Sequence, residues 1–276
     1  MVWLRVLCVS CCVLILPSQI LANIGTVVSV KQGAEITRAG NSRPLLEGME
    51  VASGDSISTD SRGVVQLIFV DETKIAIGPN AKMALDVTML RNKKKAKNFA
   101  VQALGGSFRF ISGNSRKRAY SIQTPTATMA VRGTIFDMWV VPGTQSSMLV
   151  LEGTVQMCGL KGGCRSTGRQ CSLFATSQKG KVGRPADQAQ YDEAVKNGFP
   201  FIQSQERLLS PLRVNIEGCA GESAPVQPIE KSDAPEPRPA PPQRQAVKAS
   251  VASAPVEAPS IEGGAAPDTK PNRPVN

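Results

Sequence analysis

Ten short apolar runs between residues 26 and 157 constrain the fold of this chain more than any other feature. Each run is four to eight residues long, and glycine or other turn-forming residues separate it from the next. The runs are residues 26–30, 64–70, 74–77, 83–87, 99–104, 107–111, 119–123, 134–141, 148–151 and 154–157. Strands of this length between turns are typical of all-β proteins, and helical periodicity is absent here. We therefore predict an all-β domain whose antiparallel sheet is rolled, β-helix-like or jelly-roll-like.

Glycine precedes four of the runs in a weakly repeated pattern. The segments are "GTVVSV" from residue 25, "GSFRFI" from 106, "GTIFDM" from 133 and "GTVQMC" from 153. Their spacing is too irregular for a solenoid of equal repeats. Glycine at the start of a strand instead indicates a bend or a bulge, which a rolled sheet requires.

The first 22 residues have the pattern of a secretory signal peptide. Arg5 is their one charged residue, an apolar run follows over residues 6–16, and Pro17 ends it. A run of 11 residues is too short to span a bilayer, and Ala22 offers a cleavage site before Asn23. We therefore expect an exported protein, periplasmic or at the cell surface. Retention of the segment as an anchor is the alternative.

Four cysteines follow the predicted signal peptide, namely Cys158, Cys164, Cys171 and Cys219. An even number in an exported chain favours two disulfides, with Cys219 tied back to the segment 158–171. A redox-active thiol is the alternative, because cationic residues lie beside these cysteines. The sequence contains no histidine, the usual general base near neutral pH and a common zinc ligand. Nucleophile, P-loop and zinc-protease motifs are also absent, so we predict no enzyme, cofactor or metal site.

The formal net charge of +10 is unevenly distributed. Residues 222–276 contain six cationic and seven anionic residues, so the positive excess lies in the body of the chain. Outside the cytoplasm such a body would meet anionic lipids, glycans or wall polymers rather than nucleic acid. Residues 222–276 also hold 12 of the 20 prolines and few large apolar residues, which predicts a disordered tail.

Residues 185–221, between the β region and the tail, are expected to be partly helical. Pro185 suits a first helical turn and Gly198 would end the helix, while a second short helix is expected over residues 202–209. The predicted organisation is a signal peptide (1–22), a β domain (24–184) with a cysteine-containing extension from 158, a short helical segment (185–221) and a disordered proline-rich tail (222–276).

Several blocks of sequence occur in a characteristic order within residues 25–158. They are "GMEVASGDSISTDSRGVVQLIFVDETKIAIGPNAKMAL", "GGSFRF", "TPTATMAVRGTIFDM" and "VLEGTVQM". Together they resemble the FecR domain, which is named after the periplasmic part of the ferric citrate transport regulator. The resemblance implies a non-enzymatic all-β module outside the cytoplasm.

The recurrent positions of that family correspond here to Gly48, Gly54, Asp55, Thr59, Asp71, Gly78, Pro79, Gly106, Thr124, Pro125, Arg132, Gly133, Thr134, Phe136, Glu152, Gly153 and Val155. The resemblance implies structural rather than catalytic roles for them. The regulator that names the family has an anti-sigma segment and a membrane helix before this domain, whereas here the domain follows the signal peptide. We therefore expect a FecR-like protein without the anti-sigma segment, acting in protein interaction or signalling at the bacterial cell envelope.

Two basic clusters support an alternative function. Their residues are Arg91, Lys93, Lys94, Lys95, Lys97, Arg116, Lys117 and Arg118. They flank a stretch in which Gly105 and Gly106 are expected to form a two-residue hairpin turn, so both clusters would meet at its open end. Such a patch would bind anionic wall polymers, glycans or a lipid surface, and the protein would be a structural envelope module. Charge runs are, however, more often solvated loops.

Two pairs of charged residues are the remaining candidates. Asp55 and Asp71 lie where aspartate favours turns by bonding nearby backbone amides, and no partner base is identifiable, so a structural role is expected. Arg132 and Glu152 stand in the related tripeptides RGT and EGT. Across a hairpin with an even loop their side chains would project from opposite faces. An ion pair between them therefore requires a bulge at one of the glycines or a loop with an odd number of residues.

Overall fold

The computed structural model describes residues 22–90, 94–116 and 119–220, except for the side chain of Arg132. The predicted tail, and all of the predicted signal peptide apart from Ala22, lie outside the described residues. Within the described ranges, no helix is long and apolar enough to cross a membrane.

Fifteen strands of the described residues form one connected sheet, which confirms the all-β prediction. The strands are β1 (Asn23–Lys31), β2 (Ala34–Arg38), β3 (Asn41–Pro44), β4 (Glu50–Ala52), β5 (Ser56–Thr59), β6 (Val64–Phe69), β7 (Lys74–Ile77), β8 (Lys82–Met89), β9 (Ala96–Ile111), β10 (Tyr120–Gln123), β11 (Ala127–Val141), β12 (Gln145–Gly159), β13 (Cys164–Thr167), β14 (Leu173–Thr176) and β15 (Val182–Gly183). Two α-helices follow, α1 (Gln188–Gly198) and α2 (Pro200–Gln203), and then a 3₁₀ helix (Ser210–Leu212). All strand pairs are antiparallel except β9 with β10.

Strand β9 gives the sheet its rolled shape. Up to Gly105 it pairs with β8 and β10, and from Gly106 onward it pairs with β7 and β11. Gly106 has a φ of 89°, and a Cβ there would collide with the backbone of Ala81. The predicted hairpin turn at Gly105–Gly106 is therefore wrong, because the chain bends there within one continuous strand.

Alternate residues of the central strands face two different cores. Phe108 and Phe110 of β9 and Phe136 of β11 point into the main core inside the roll. Between them, Arg109 and Asp137 point to the outer face, and they too are buried. Burial on both faces explains why these strands appear in the sequence as nearly continuous apolar runs.

The C-terminal segment, residues 185–220, covers the outer face. Helix α1 starts after Asp187, whose carboxylate accepts a hydrogen bond of 2.9 Å from the Gln190 backbone N–H group. Helix α2 is shorter than the helix predicted over residues 202–209. The backbone groups of the following turn bind the sheet instead, because the Gln66 amide donates to the Arg207 carbonyl and accepts from the Leu209 N–H group.

Candidate functional site

Strands β11 and β12, which carry the RGT and EGT tripeptides, are joined by a three-residue loop at 142–144. In the backbone register Arg132 lies opposite Thr154, and Ile135 lies opposite Glu152. The loop has an odd number of residues and the register shifts between these pairs, and an Arg132–Glu152 ion pair was expected to require one feature or the other. The side chain of Arg132 lies outside the described residues and that of Glu152 is exposed, so the ion pair stays a prediction.

The glycines of the two tripeptides form a paired bulge. Gly133 and Gly153 have φ values of 62° and 77°, and a Cβ on Gly153 would collide with the Gly133 carbonyl oxygen. Beside them Thr134 is buried, and its backbone N–H group donates to Ser112 Oγ at 2.7 Å. The glycines thus allow two backbones to touch where the sheet bends, which is an architectural role.

Asp55 anchors the start of strand β5. It is buried and accepts two hydrogen bonds of 2.7 Å from the Arg38 guanidinium group, and a third of 2.7 Å from the Ala52 N–H group. Gly54, immediately before it, has a φ of 91° and completes the turn. The carboxylate is therefore fully engaged in holding this turn.

Asp71 lies in a separate buried network. Its carboxylate accepts hydrogen bonds from the Thr73 N–H group at 3.1 Å, from Ser115 Oγ at 2.6 Å and from the Tyr120 hydroxyl group at 3.0 Å. Ser115 Oγ in turn accepts from the Ala96 N–H group at 2.6 Å. Burial, above all, raises the pKa of Tyr120. The network joins the start of β9 to the loop that follows its end.

This network brings the two basic clusters together. The Ala96–Ser115 hydrogen bond places exposed Lys95 and Lys97 on one side of the contact and exposed Arg116 on the other. We call Lys94, Lys95, Lys97 and Arg116 the basic corner. The other predicted members, Arg91, Lys93, Lys117 and Arg118, lie outside the described residues. The clusters thus adjoin because β9 bends, and not because of a hairpin.

The turn at Thr124 and Pro125 separates β10 from β11. Thr124 Oγ1 accepts hydrogen bonds from the Ala127 N–H group at 2.9 Å and from Ser146 Oγ at 2.7 Å. Pro125 is exposed at the tip of the turn. These contacts fix the start of β11 against β12.

The four cysteines form two disulfides. Cys158 and Cys164 face each other across β12 and β13, while Cys171 is joined to Cys219 at the end of the C-terminal segment. The Tyr191 hydroxyl group donates to the carbonyl oxygens of Cys171 and Cys219 at 3.1 and 3.0 Å. Burial raises the pKa of Tyr191. The second disulfide therefore fastens the C-terminal segment to the sheet.

A buried polar row on the outer face was missed by the sequence analysis. Across neighbouring strands, Gln66, Ala76, Arg109, Asp137 and Leu149 lie opposite one another. The Arg109 guanidinium group binds Asp137, and it also donates to the Phe201 carbonyl oxygen and to the side chain of Gln205. The sequence signal was the single charge inside each of two apolar segments, "GSFRFI" and "GTIFDM".

A family model described as FecR protein matches residues 55–156. Two solved structures of a candidate anti-sigma factor from Parabacteroides distasonis share 16% and 15% identity with the chain, each with a TM-score of 0.39. The alignments cover 52% of this chain and 64% and 65% of theirs, so the chain spans just under two thirds of their length. A structure described as a cell surface anchoring domain shares 26% identity over 22% of this chain and 82% of its own, with a TM-score of 0.22. Comparison with curated proteins gives no significant match.

The matched segment contains the features built up above. It begins at Asp55, includes the network around Asp71, and ends three residues after Gly153 of the paired bulge. The match supports a signalling or regulatory role at the cell envelope. Residues 55–156 are therefore the part of the chain that matches the FecR family.

Proposed function

We propose that this chain is an exported, non-catalytic FecR-domain protein that acts by protein interaction or signalling at the bacterial cell envelope. The use of the motif residues carries this proposal. Asp55, Asp71 and Thr124 direct their polar atoms to internal hydrogen bonds. Within the part of the chain that the structure describes, no three potential metal ligands come together. The motif residues therefore have structural roles, and we expect partners to bind the exposed surface of the domain.

Three kinds of contact fix the C-terminal segment on the sheet. The Cys171–Cys219 disulfide, the Arg109 contacts and the Gln66 amide each join the C-terminal segment to the sheet. A surface fixed in this way loses little conformational entropy when a partner binds. Four large apolar side chains of the described residues are exposed, and the two most exposed are Leu46 at 58% and Leu160 at 64%. These two give positions from which to search for a partner.

Photo-crosslinking in cells tests this proposal. p-Benzoylphenylalanine would replace Leu46 or Leu160, with exposed Gln178 as a control position. We expect a discrete crosslinked protein from at least one apolar position, unchanged by high salt because apolar contacts are not screened. Absence of any product from either position, or equal products from Gln178, would contradict the proposal. Mass spectrometry of the exported form should also find Asn23 as the first residue.

The second candidate function is binding of anionic envelope polymers or lipids. The observation that favours it is the Ala96–Ser115 contact, which gathers the basic corner at one place. A cluster of lysine and arginine attracts anionic surfaces, and salt weakens this attraction.

Two matched charge-reversal variants test this function. One changes Lys94, Lys95 and Lys97 to glutamate, and the other changes exposed Lys31, Lys161 and Lys179. Because both variants have the same net charge, only a local patch would distinguish them. Weaker retention of the first variant alone on vesicles containing phosphatidylglycerol, or on isolated wall material, would support the function. Equal retention of both variants would exclude it.

A further inference from the structure

A second row across the sheet forms the floor of a cleft. Ser107, Trp139, Ser147, Ala175 and Gly183 lie opposite one another in five neighbouring strands. The last four line a cleft with a volume of about 650 Å³, which we call the Trp139 cleft. Helix α1 forms one of its walls. Its volume is within the usual range for ligand pockets, roughly 300–1,000 Å³.

Trp139 supplies an apolar surface in this floor. Its indole ring is half-buried, and the backbone of Gly198 packs so closely on it that a Cβ there would collide with the ring. The neighbour across the strands, Ser147, is too small to cover the ring from its own side. The indole is therefore held rigidly by the helix while it remains accessible from the cleft.

Ser147 provides an unsatisfied polar group beside the indole. The residue is 1% exposed, and its Oγ has no hydrogen-bond partner among the described residues. A buried hydroxyl group without a partner is destabilising, so the fold keeps it at the expense of stability. Ser147 lines the floor of the cleft, so rotation of its side chain toward the cleft would let a ligand group satisfy this hydroxyl group.

Helix α1 adds polar side chains to the cleft from its wall. Gln190, Glu193 and Asn197 line the cleft at helical spacing, and Lys181 lies in the adjoining turn. Amide groups both donate and accept hydrogen bonds, as sugar hydroxyl groups do. Three charged residues line the cleft, Lys181, Arg184 and Glu193. The Arg184 guanidinium group stacks on the Phe174 ring, 5.0 Å from its centroid. The other two charges have opposite signs, which disfavours a simple anion or cation as the ligand.

We propose that the Trp139 cleft binds a neutral saccharide. The indole would contact the apolar face of a sugar ring, and Ser147 and Asn197 would bind its hydroxyl groups. Strand addition fits less well, because the floor is mainly a sheet face and β15, the edge strand beside it, has only two residues. A proline-rich peptide fits less well, since Trp139 is the one aromatic residue among the described residues that line the cleft. The site shares no residue with the basic corner and goes beyond the function proposed above.

The chain contains a reporter for this site. Its two tryptophans are Trp3 and Trp139, so the full chain with Trp3→Phe has a single indole, at the cleft. Chitotetraose, cellotetraose and maltotetraose would each be titrated while tryptophan fluorescence is recorded. We expect a saturable change with at least one of them.

Three variants separate binding from folding. Asn197→Ala should weaken binding about tenfold, the effect of losing one hydrogen bond of about 1.4 kcal/mol. Ser147→Ala should weaken binding and yet leave the midpoint of urea unfolding unchanged or raised, which a merely structural serine would not do. Gln188→Ala, on the same helix but outside the cleft, should bind as the parent does.

Several results would overturn the proposal. The first is an unchanged fluorescence signal with all three tetrasaccharides at millimolar concentration. The second is binding that is insensitive to both Asn197→Ala and Ser147→Ala. The third is a saturable response to the peptide APEPRPAPP, residues 234–242, without a response to any saccharide, which would make the cleft a peptide site.

Discussion

The Arg109 guanidinium group donates two hydrogen bonds to the Asp137 carboxylate, Nε to Oδ1 at 2.7 Å and Nη2 to Oδ2 at 2.8 Å. Both side chains are buried, with 0% of Arg109 and 2% of Asp137 exposed. The remaining Arg109 donors reach the C-terminal segment at Phe201 and Gln205. The pair therefore links β9, β11 and the segment that covers them.

Arg109→Leu should destabilise the protein by about 3–5 kcal/mol, because it leaves the Asp137 charge buried without a partner. Asp137→Leu should destabilise the protein by a comparable amount, because it leaves the Arg109 charge buried without its carboxylate partner. In the double variant the loss should be clearly smaller than the sum of the two single losses. Urea unfolding measures all three, with exposed Arg43→Leu as the control, which should change stability by less than about 0.5 kcal/mol. Additive losses would show that the two groups do not act as a pair.

The paired bulge predicts different effects of alanine at two glycines with similar backbones. Gly143 and Gly153 have φ values of 70° and 77°, so both substitutions incur the cost of a left-handed conformation, about 1–2 kcal/mol. Around Gly143 nothing lies within 4 Å of an added Cβ, whereas at Gly153 the Cβ would collide with Gly133. Gly153→Ala should therefore be the more destabilising by at least about 1–3 kcal/mol, the cost of overpacking. Equal unfolding midpoints in urea would refute the close approach.

The two disulfides should contribute unequally to stability. The sequence separation is 48 for Cys171–Cys219 and 6 for Cys158–Cys164. From loop-closure entropy alone, their removal should cost about 4 and about 2 kcal/mol, respectively. Paired serine variants, compared by urea unfolding, measure the difference. Limited proteolysis should also release the C-terminal segment faster in Cys171→Ser/Cys219→Ser. A larger loss from the shorter loop would contradict this order.

Local sequence pattern predicted the longer strands, and it missed several short ones. Some of the missed strands, β2, β4, β5 and β14, bury apolar residues such as Ile57 and Phe174, but each is too short to show a pattern. Strand β3, with the sequence NSRP, is exposed throughout and exists because it pairs with β2. Strands β13 to β15 are also short and lie beside the cysteines, where turn residues dominate. The turn expected at Gly105–Gly106 was wrong because glycine equally suits a bend, and only the packing against Ala81 decides between them.

The buried Arg109–Asp137 pair and the Trp139 cleft both depend on contacts between residues that are not neighbours in the sequence. Arg109 and Asp137 are 28 residues apart and meet only through the pairing of β9 with β11. Trp139 and Ser147 become neighbours through the β11–β12 register. Their joint role could not be predicted, because it required both this register and the position of helix α1. The role of Asp71 was easier to predict, since its contact with Thr73 is local.

Alkaline titration tests the burial of the two tyrosines, Tyr120 and Tyr191, which are the only tyrosines in the sequence. Burial raises the pKa of both phenols above the ordinary value of 10.0. The folded protein holds these protons more tightly than the unfolded chain does. The two tyrosines therefore leave the free energy of unfolding unchanged below about pH 10 and lower it as the pH rises further. At a pH just above 10 the unfolded chain should absorb as tyrosinate, whereas the folded protein should absorb less at the same pH. Tyr191→Phe should remove one of the two signals and reduce stability at neutral pH by about 1 kcal/mol, since the contacts with Cys171 and Cys219 are lost. Reversible ionisation of both tyrosines near pH 10, with an unchanged circular dichroism spectrum, would show that neither phenol is buried as described.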